Sequence, residues 1–320
     1  MKRTLASLVI GLTLLMGATT SVWAETVQEM TERIARRTVQ YKKGIEAAQR
    51  GDYAVALREL RPLAEQGFAP AQFVVGNMNY NGQGVAQNLK EAVRWNRLSA
   101  EQGYEPAQFN MGSFYFDGEG VVRNREEALR WYRLSAEQGN KDAQFILGMN
   151  YSVGDDPQNH KEAVKWFRLA AEKGDLEAQY QLGRIYQFGK GVIQSQKEAV
   201  KWYRLSAEQG YAKAQNDLGM LYHLGEKDIQ DHRKALRWYL LAAEQGKAET
   251  QFNLGLMYAT GKGIIQDYIK AHMWFNVAAA NGIAKASNNR DIIERRMTAV
   301  DVSKAQQLAR ECVAKNYKRC

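Results

Sequence analysis

Cysteine, proline and histidine are scarce in this chain, and each shortage excludes something. Four prolines in 320 residues leave little for Pro-rich linkers, and the hydrophobic share of 45% rules out a disordered or collagen-like chain. The histidines, His160, His223, His232 and His272, share no metal-ligand spacing, and no His-Glu-x-x-His occurs. No serine has a lysine three residues on, and Ser-Asp-Asn and Lys-Thr-Gly are both missing. Gly189-Lys190 and Gly261-Lys262 lack the spacing and the hydroxyl residue of a phosphate loop. Asp155, Asp156 and Asp231 sit in no recognisable calcium loop. No cofactor and no metal is expected, and no set of residues meets the criteria for acid, base or nucleophile.

Only the first 24 residues hold a long apolar run. Lys2 and Arg3 precede the apolar stretch Leu5 to Met16, and Val22-Trp23-Ala24 ends it with a small residue. The stretch is short for a membrane span and has the order of a secretory signal, so residues 1–24 are expected to be cleaved and the mature chain to start near Glu25. That places the protein in the periplasm or outside the cell. Removing Lys2 and Arg3 takes the formal charge from +9 to +7. From Asn281 to Cys320 nine Lys or Arg face four Asp or Glu. Export argues against nucleic acid as partner and leaves a weak association with anionic envelope polymers, or simply a solvated basic face. The two cysteines, Cys312 and Cys320, would pair in an oxidising compartment. On an unbroken helix they would lie roughly 12 Å apart, so a disulfide needs the chain to reverse before Cys320.

What is abundant is self-similarity. Glycine recurs at Gly67, Gly103, Gly139, Gly174, Gly210, Gly246 and Gly282, and tryptophan keeps register at Trp95, Trp131, Trp166, Trp202, Trp238 and Trp274. Each unit of about 36 residues reads as two helices. The second opens at a capping residue: Asn88, Asn124, Asn159, Ser195, Asp231 or Asp267. Glu91, Glu127, Glu162 and Glu198 stand three residues later, where a capping box would place them. The first helix begins at Ala71, Ala107, Ala143, Ala178 and Thr250, and carries a glycine five residues on. A mid-helix glycine costs up to about 1 kcal/mol relative to alanine, so it is expected to permit close approach of two helix backbones, with Tyr and Trp filling the rest. Between the helices run loops such as Gly118-Glu119-Gly120-Val121. The unit 140–174 is one residue short, with Gly154-Asp155-Asp156-Pro157 in its loop, and is the place where a kink is expected.

These residues closely resemble the Sel-1-like repeat family, a relative of the tetratricopeptide repeats. Ala178 to Gly210 follows that family's pattern almost without departure. The resemblance implies an all-α chain, a right-handed α/α solenoid used mainly as a protein-interaction scaffold. The expected division is a signal peptide 1–24, a tetratricopeptide-like capping unit 25–67, six repeats (68–103, 104–139, 140–174, 175–210, 211–246, 247–282) and C-terminal capping helices 283–320. Exported members of the family include some described as penicillin-binding or β-lactamase-like. Those resemble a version with a cysteine pair in every repeat, which this chain lacks. Ser99, Ser135 and Ser206 recur in one register, which marks a structural slot and not a nucleophile. The chain is read as no enzyme.

Comparing the six units separates framework from surface. Counted from the first alanine, positions +4, +5 and +8 hardly vary, whereas +3, +6 and +10 change freely and fall on another face. That variable face holds Val74 and Asn77; Asn110 and Ser113; Ile146 and Met149; Gln181, Arg184 and Phe188; Asp217, Met220 and Leu224; Asn253 and Leu256. Stacked units would join these into a strip, polar at first and more apolar from Ile146 onward, suited to a protein or peptide partner. The other reading is that some of them pack against the next unit. Two roles remain open: an adaptor in the envelope or outside the cell, and a structural protein held to cell-wall glycan or anionic lipid by its basic tail.

Overall fold

The computed structural model describes residues 20–320, with side chains described from Val27 onward. The expected signal peptide therefore lies outside the described residues, apart from the backbone at the start of the first helix. Among the described residues the protein is all-helical, with sixteen helices and no strand. They are α1 (Thr20–Gln49), α2 (Tyr53–Glu65), α3 (Ala69–Asn81), α4 (Leu89–Glu101), α5 (Glu105–Asp117), α6 (Arg125–Glu137), α7 (Lys141–Tyr151), α8 (Pro157–Glu172), α9 (Leu176–Phe188), α10 (Gln196–Glu208), α11 (Ala212–Leu224), α12 (His232–Ala243), α13 (Ala248–Thr260), α14 (Tyr268–Ala280), α15 (Ala284–Glu294) and α16 (Ala299–Ala314). The chain divides after Gln138 into two compact units, the first ending with α6 and the second starting with α7. No helix among the described residues is long and apolar enough to cross a membrane.

Within each repeat the two helices pack as a pair, and the mid-helix glycine shows how. In five repeats what lies closest to it is a ring, and only at Gly76 is a backbone atom, Ala92 O, among the nearest neighbours. A Cβ on Gly112 would lie 2.6 Å from the Tyr132 ring, and one on Gly148 would lie 2.6 Å from the Phe167 ring. Tyr203, Tyr239 and Phe275 cover Gly183, Gly219 and Gly255 in the same way, and Asn96 covers Gly76. The glycine thus removes a side chain so that the residue following each tryptophan can lie flat on the first helix. Tyr132, Phe167, Tyr203, Tyr239 and Phe275 are all buried as a result. Burying a ring of this size contributes on the order of 2–3 kcal/mol, more than the glycine's propensity cost.

The second helices are capped as expected, with one shift and one reinterpretation. Asn88, Asn124, Ser195, Asp231 and Asp267 each accept a backbone N–H of the first turn. In the short repeat the cap is Asp156, not Asn159, and α8 starts at Pro157, whose fixed φ and missing N–H suit a first turn. The glutamates do not complete capping boxes. The N–H groups of Asn88, Asn124 and Ser195 already donate to the first helix, as Asn124 does to Tyr115 O and Ser195 to Tyr186 O. The carboxylates of Glu91, Glu127, Glu162 and Glu198 instead meet Arg94, Arg130, Lys165 and Lys201 one turn on.

Successive pairs are tied by a buried glutamine that nothing in the sequence reading singled out. Gln72, Gln108, Gln179, Gln215 and Gln251 each donate Nε2 to a carbonyl at the end of the preceding second helix, for example Gln215 to Ala207 O at 3.1 Å. Their Oε1 atoms accept from Gln102, Gln138, Gln209, Gln245 and Asn281. Ser99 and Ser206 are buried and donate to Ala69 O and Leu176 O, and Ser135 is buried against Glu105. A buried amide left unbonded would cost about 1–3 kcal/mol, so each tie also fixes the spacing between neighbouring pairs.

At the start, α1 and α2 form a pair of the same kind, with Gly44 against Leu60. At the end, α15 and α16 both pack on α14. The chain then turns back through Asn316, Tyr317 and Arg319, all with positive φ. The reversal brings the Cα atoms of Cys312 and Cys320 to 5.2 Å, in disulfide geometry. It also seats the Tyr317 hydroxyl on Asn281 Oδ1 at 3.0 Å.

Gly148→Ala is expected to destabilise the protein by about 1–3 kcal/mol, because the new methyl meets a ring that cannot yield. In a Phe167→Ala background the same change should cost far less. Urea denaturation of the four proteins of this double-mutant cycle checks the pairing.

Candidate binding surface

The framework positions decide which side of each first helix is left over. Positions +4 and +5 (Val75, Gly76; Met111, Gly112; Leu147, Gly148; Leu182, Gly183; Leu218, Gly219; Leu254, Gly255) are all buried. None of the fourteen variable-face residues is buried: Met149, Arg184, Phe188, Met220 and Leu224 are exposed, and the others are half-buried. The face differs between the two units.

In the first unit it is polar and internally bonded. Asn110 Nδ2 donates to Asn77 Oδ1 at 2.9 Å and to Asn96 Oδ1 at 3.2 Å. Tyr132 donates to Ser113 Oγ at 3.2 Å. Val74 packs against the core cluster around Val75 and Trp95, so it belongs partly to the framework.

In the second unit α7, α9 and α11 present large apolar side chains: Phe188 is 59% and Leu224 68% exposed, with Met149 and Met220 near 40% and 38%. Between α9 and α11 lies a hollow of about 470 Å³, bordered by Tyr180, Arg184, Phe188, Lys213, Asp217 and Met220. Two of its lining residues, Tyr180 and Asp217, belong to a polar chain. Tyr180 donates to Asp217 Oδ2 at 3.0 Å, Asn216 donates to Asp217 Oδ1 at 2.9 Å, and Thr250 donates to Asn216 Oδ1 at 2.7 Å. Burial raises the Asp217 carboxyl above the usual carboxylate range; the bonds from Asn216 and Tyr180 and the cations Arg184 and Lys247 pull the other way. The Tyr180 hydroxyl is pushed up in turn, first by burial and then by Asp217. Leu256, further along on α13, packs on the C-terminal core cluster.

The face therefore supplies apolar contact, two exposed cations and one half-buried anion. Among the described residues no three His, Cys, Asp or Glu side chains converge to hold a metal ion. His223 stacks edge-on against His232 with ring centroids 5.4 Å apart, and burial next to His232 and Lys262 lowers its pKa. His272 is fully buried, with Nε2 3.2 Å from the Glu294 carboxylate. His160 meets Gly154 O at 2.9 Å. His223 and His232 pair with each other, and His160 and His272 each have a separate local partner.

Paired helices repeating in one register, with an invariant inner side and a variable outer one, define an α/α repeat scaffold. The chain belongs to the Sel1 repeat family, whose model matches residues 69–104, 105–140, 141–175, 176–211, 212–247 and 248–283. Among solved structures, a Sel1 repeat protein from Oxalobacter formigenes is 34% identical, covering 74% of this chain and 98% of its own, with a TM-score of 0.65. A protective antigen of uropathogenic Escherichia coli strains that displays an SLR fold is 25% identical over 93% of this chain and 89% of its own, with a TM-score of 0.46. Among curated proteins none matches.

The raised carboxyl of Asp217 sets a pH dependence with a definite sign. Its folded-state pKa exceeds the ordinary value of 3.8, so its contribution to stability is whole below 3.8 and is lost as pH rises through the raised value. Thermal melts of wild type and Asp217→Asn across that window should show the difference moving in the variant's favour as pH increases. A difference that stays flat with pH would mean that Asp217 is not desolvated.

Proposed function

We propose that this chain is an exported scaffold that holds a protein or peptide segment against the variable face of its first helices, without doing chemistry on it. The observation that carries this reading is the set of exposed Met, Phe and Leu side chains on α7, α9 and α11. They stand beside framework positions that bury every comparable residue, and large apolar side chains grouped on a soluble surface mark contact sites. The hollow between α9 and α11 adds specificity: an apolar side chain of the partner meets Phe188 and Met220, while its polar groups meet Arg184, Lys213 and Asp217. Family membership supports the scaffold role, and the buried, hydrogen-bonded serines speak for structure over catalysis.

The adaptor works in the periplasm or outside the cell on this reading, and its cysteines are oxidised there. A photo-crosslinking residue placed at Phe188 or at Leu224 should capture one protein species in growing cells, and one at Lys201, on a second helix, should not. Met220→Glu should reduce the Phe188 adduct by about tenfold, as expected when a central apolar contact is lost. Equal capture from Lys201 would remove the face from consideration. The secreted protein should begin near Glu25 and have the intact mass of the Cys312–Cys320 disulfide. A mass that keeps residues 1–24 or two free thiols would contradict the export reading.

A further inference from the structure

The last repeat departs from the other five on the outer side of its second helix. At the position where the earlier units carry Glu101, Glu137, Glu172, Glu208 and Glu244, it has Ala280. Where they carry Arg97, Arg133, Arg168, Arg204 and Leu240, it has Asn276. Charge has been stripped from this side, and α16 lies across it: Val277 is 1% exposed, whereas the equivalent Leu205 is 45% exposed. The cover is incomplete. Between α14 and α16 a cleft of about 570 Å³ remains, lined by Val277 and Ala280 on one helix and by Ala309, Val313 and Ala314 on the other. The small side chains along both walls are what leave it open.

The polar residues that border the cleft are Asn276, Gln306 and Arg310, and the one charge among them is positive. Arg310 makes no ion pair among the described residues. Asn276 Oδ1 accepts from Arg290 Nη1 at 3.1 Å, so the amide nitrogen of Asn276 is the donor left over. No carboxylate lines the cleft, in a segment where nine Lys or Arg face four Asp or Glu from Asn281 onward. The volume lies within the roughly 300–1,000 Å³ typical of small-ligand sites. A slot with apolar walls and a guanidinium and an amide at its mouth complements an acyl chain ending in an anion.

We propose that the cleft between α14 and α16 binds a long-chain fatty acid, its chain between Val277, Ala280, Ala309 and Val313 and its carboxylate on Arg310 and the Asn276 amide. The site is separate from the α7–α13 face and stands or falls independently of the scaffold reading.

The test is fluorescence titration of the purified full chain with dansylaminoundecanoic acid. The expected result is a saturable, one-to-one enhancement that palmitate displaces and dodecyltrimethylammonium, with a chain but a cationic head, does not. Ala280→Glu restores the residue type of the other five repeats, so it should fold normally and melt close to wild type. It should weaken binding about tenfold or more by placing a like charge in the slot, and Arg310→Glu should do the same. Absence of saturable binding, equal displacement by the cationic amphiphile, or affinity unchanged in both variants would overturn the proposal. A sedimentation coefficient that falls in lipid-free Ala280→Glu would do so too, because it would show that a second copy of the chain fills the cleft.

Discussion

Everything in this protein hangs on a ring lying in a notch. Each first helix of the repeats gives up a side chain at glycine, and in five of the six the second helix lays Tyr132, Phe167, Tyr203, Tyr239 or Phe275 into the gap, with Asn96 in the first. The contact fixes both the distance between the paired helices and their rotation about their own axes. Once rotation is fixed, positions +4 and +5 lie buried within the pair, and +3 and +6 lie at its margin or outside it. The free face is thus a consequence of the notch, and so is its freedom to vary. A residue outside the packing can change at little cost in stability, typically within about ±0.5 kcal/mol.

The glutamine ties carry that order from pair to pair. Gln215 reaches back to Ala207 O and accepts from Gln245, so one side chain touches the helices on both sides of its own. A lattice of this kind is directional. It specifies spacing where apolar packing alone would tolerate small slips, because a displaced amide would be left buried without a partner. The last tie is made by Asn281 in place of glutamine, and Asn281 in turn receives the Tyr317 hydroxyl from the C-terminal reversal. The end of the repeat array and the closing of the C-terminal loop are therefore one connected structure.

Much of the fold was legible because a repeated sequence is read six times. Tryptophan and glycine columns located the helices, and Asn124, Ser195 and Asp267 located their starts. What escaped was what one residue type can do in two settings. A mid-helix glycine permits either a close backbone or a flat ring, and only the contacts separate them, although the aromatic column just after tryptophan was the available signal. Glutamate three residues past a cap looks like half of a capping box until the cap's N–H is found already bonded to the preceding helix. In the short repeat, Asn159 sits in the expected register, but Asp156 followed by Pro157 makes the stronger start and wins. The buried glutamines went unnoticed because a polar residue beside alanine carries no sign of burial. The variable face was legible only in outline. Its exposure follows from the pattern, but the Asp217–Tyr180–Asn216–Thr250 chain joins three first helices and has no linear signature.

The same comparison between copies gains force at the places where it breaks. In a repeat array each unit covers the next, so a column changes only when its neighbour changes or when something other than a repeat lies there. Ala280 illustrates the second case. Ala280 is exposed beside α16 and leaves the volume between the helices unfilled, and Val277 and Ala309 do not fill it either. A cap evolved only to seal the end of the solenoid would be expected to close such a gap with Leu or Met, as the packed cores of the other units do. The residues that make α16 fit are therefore not the ones that would make it fit best, and the cation and amide at the mouth of the cleft sit where a ligand would need them.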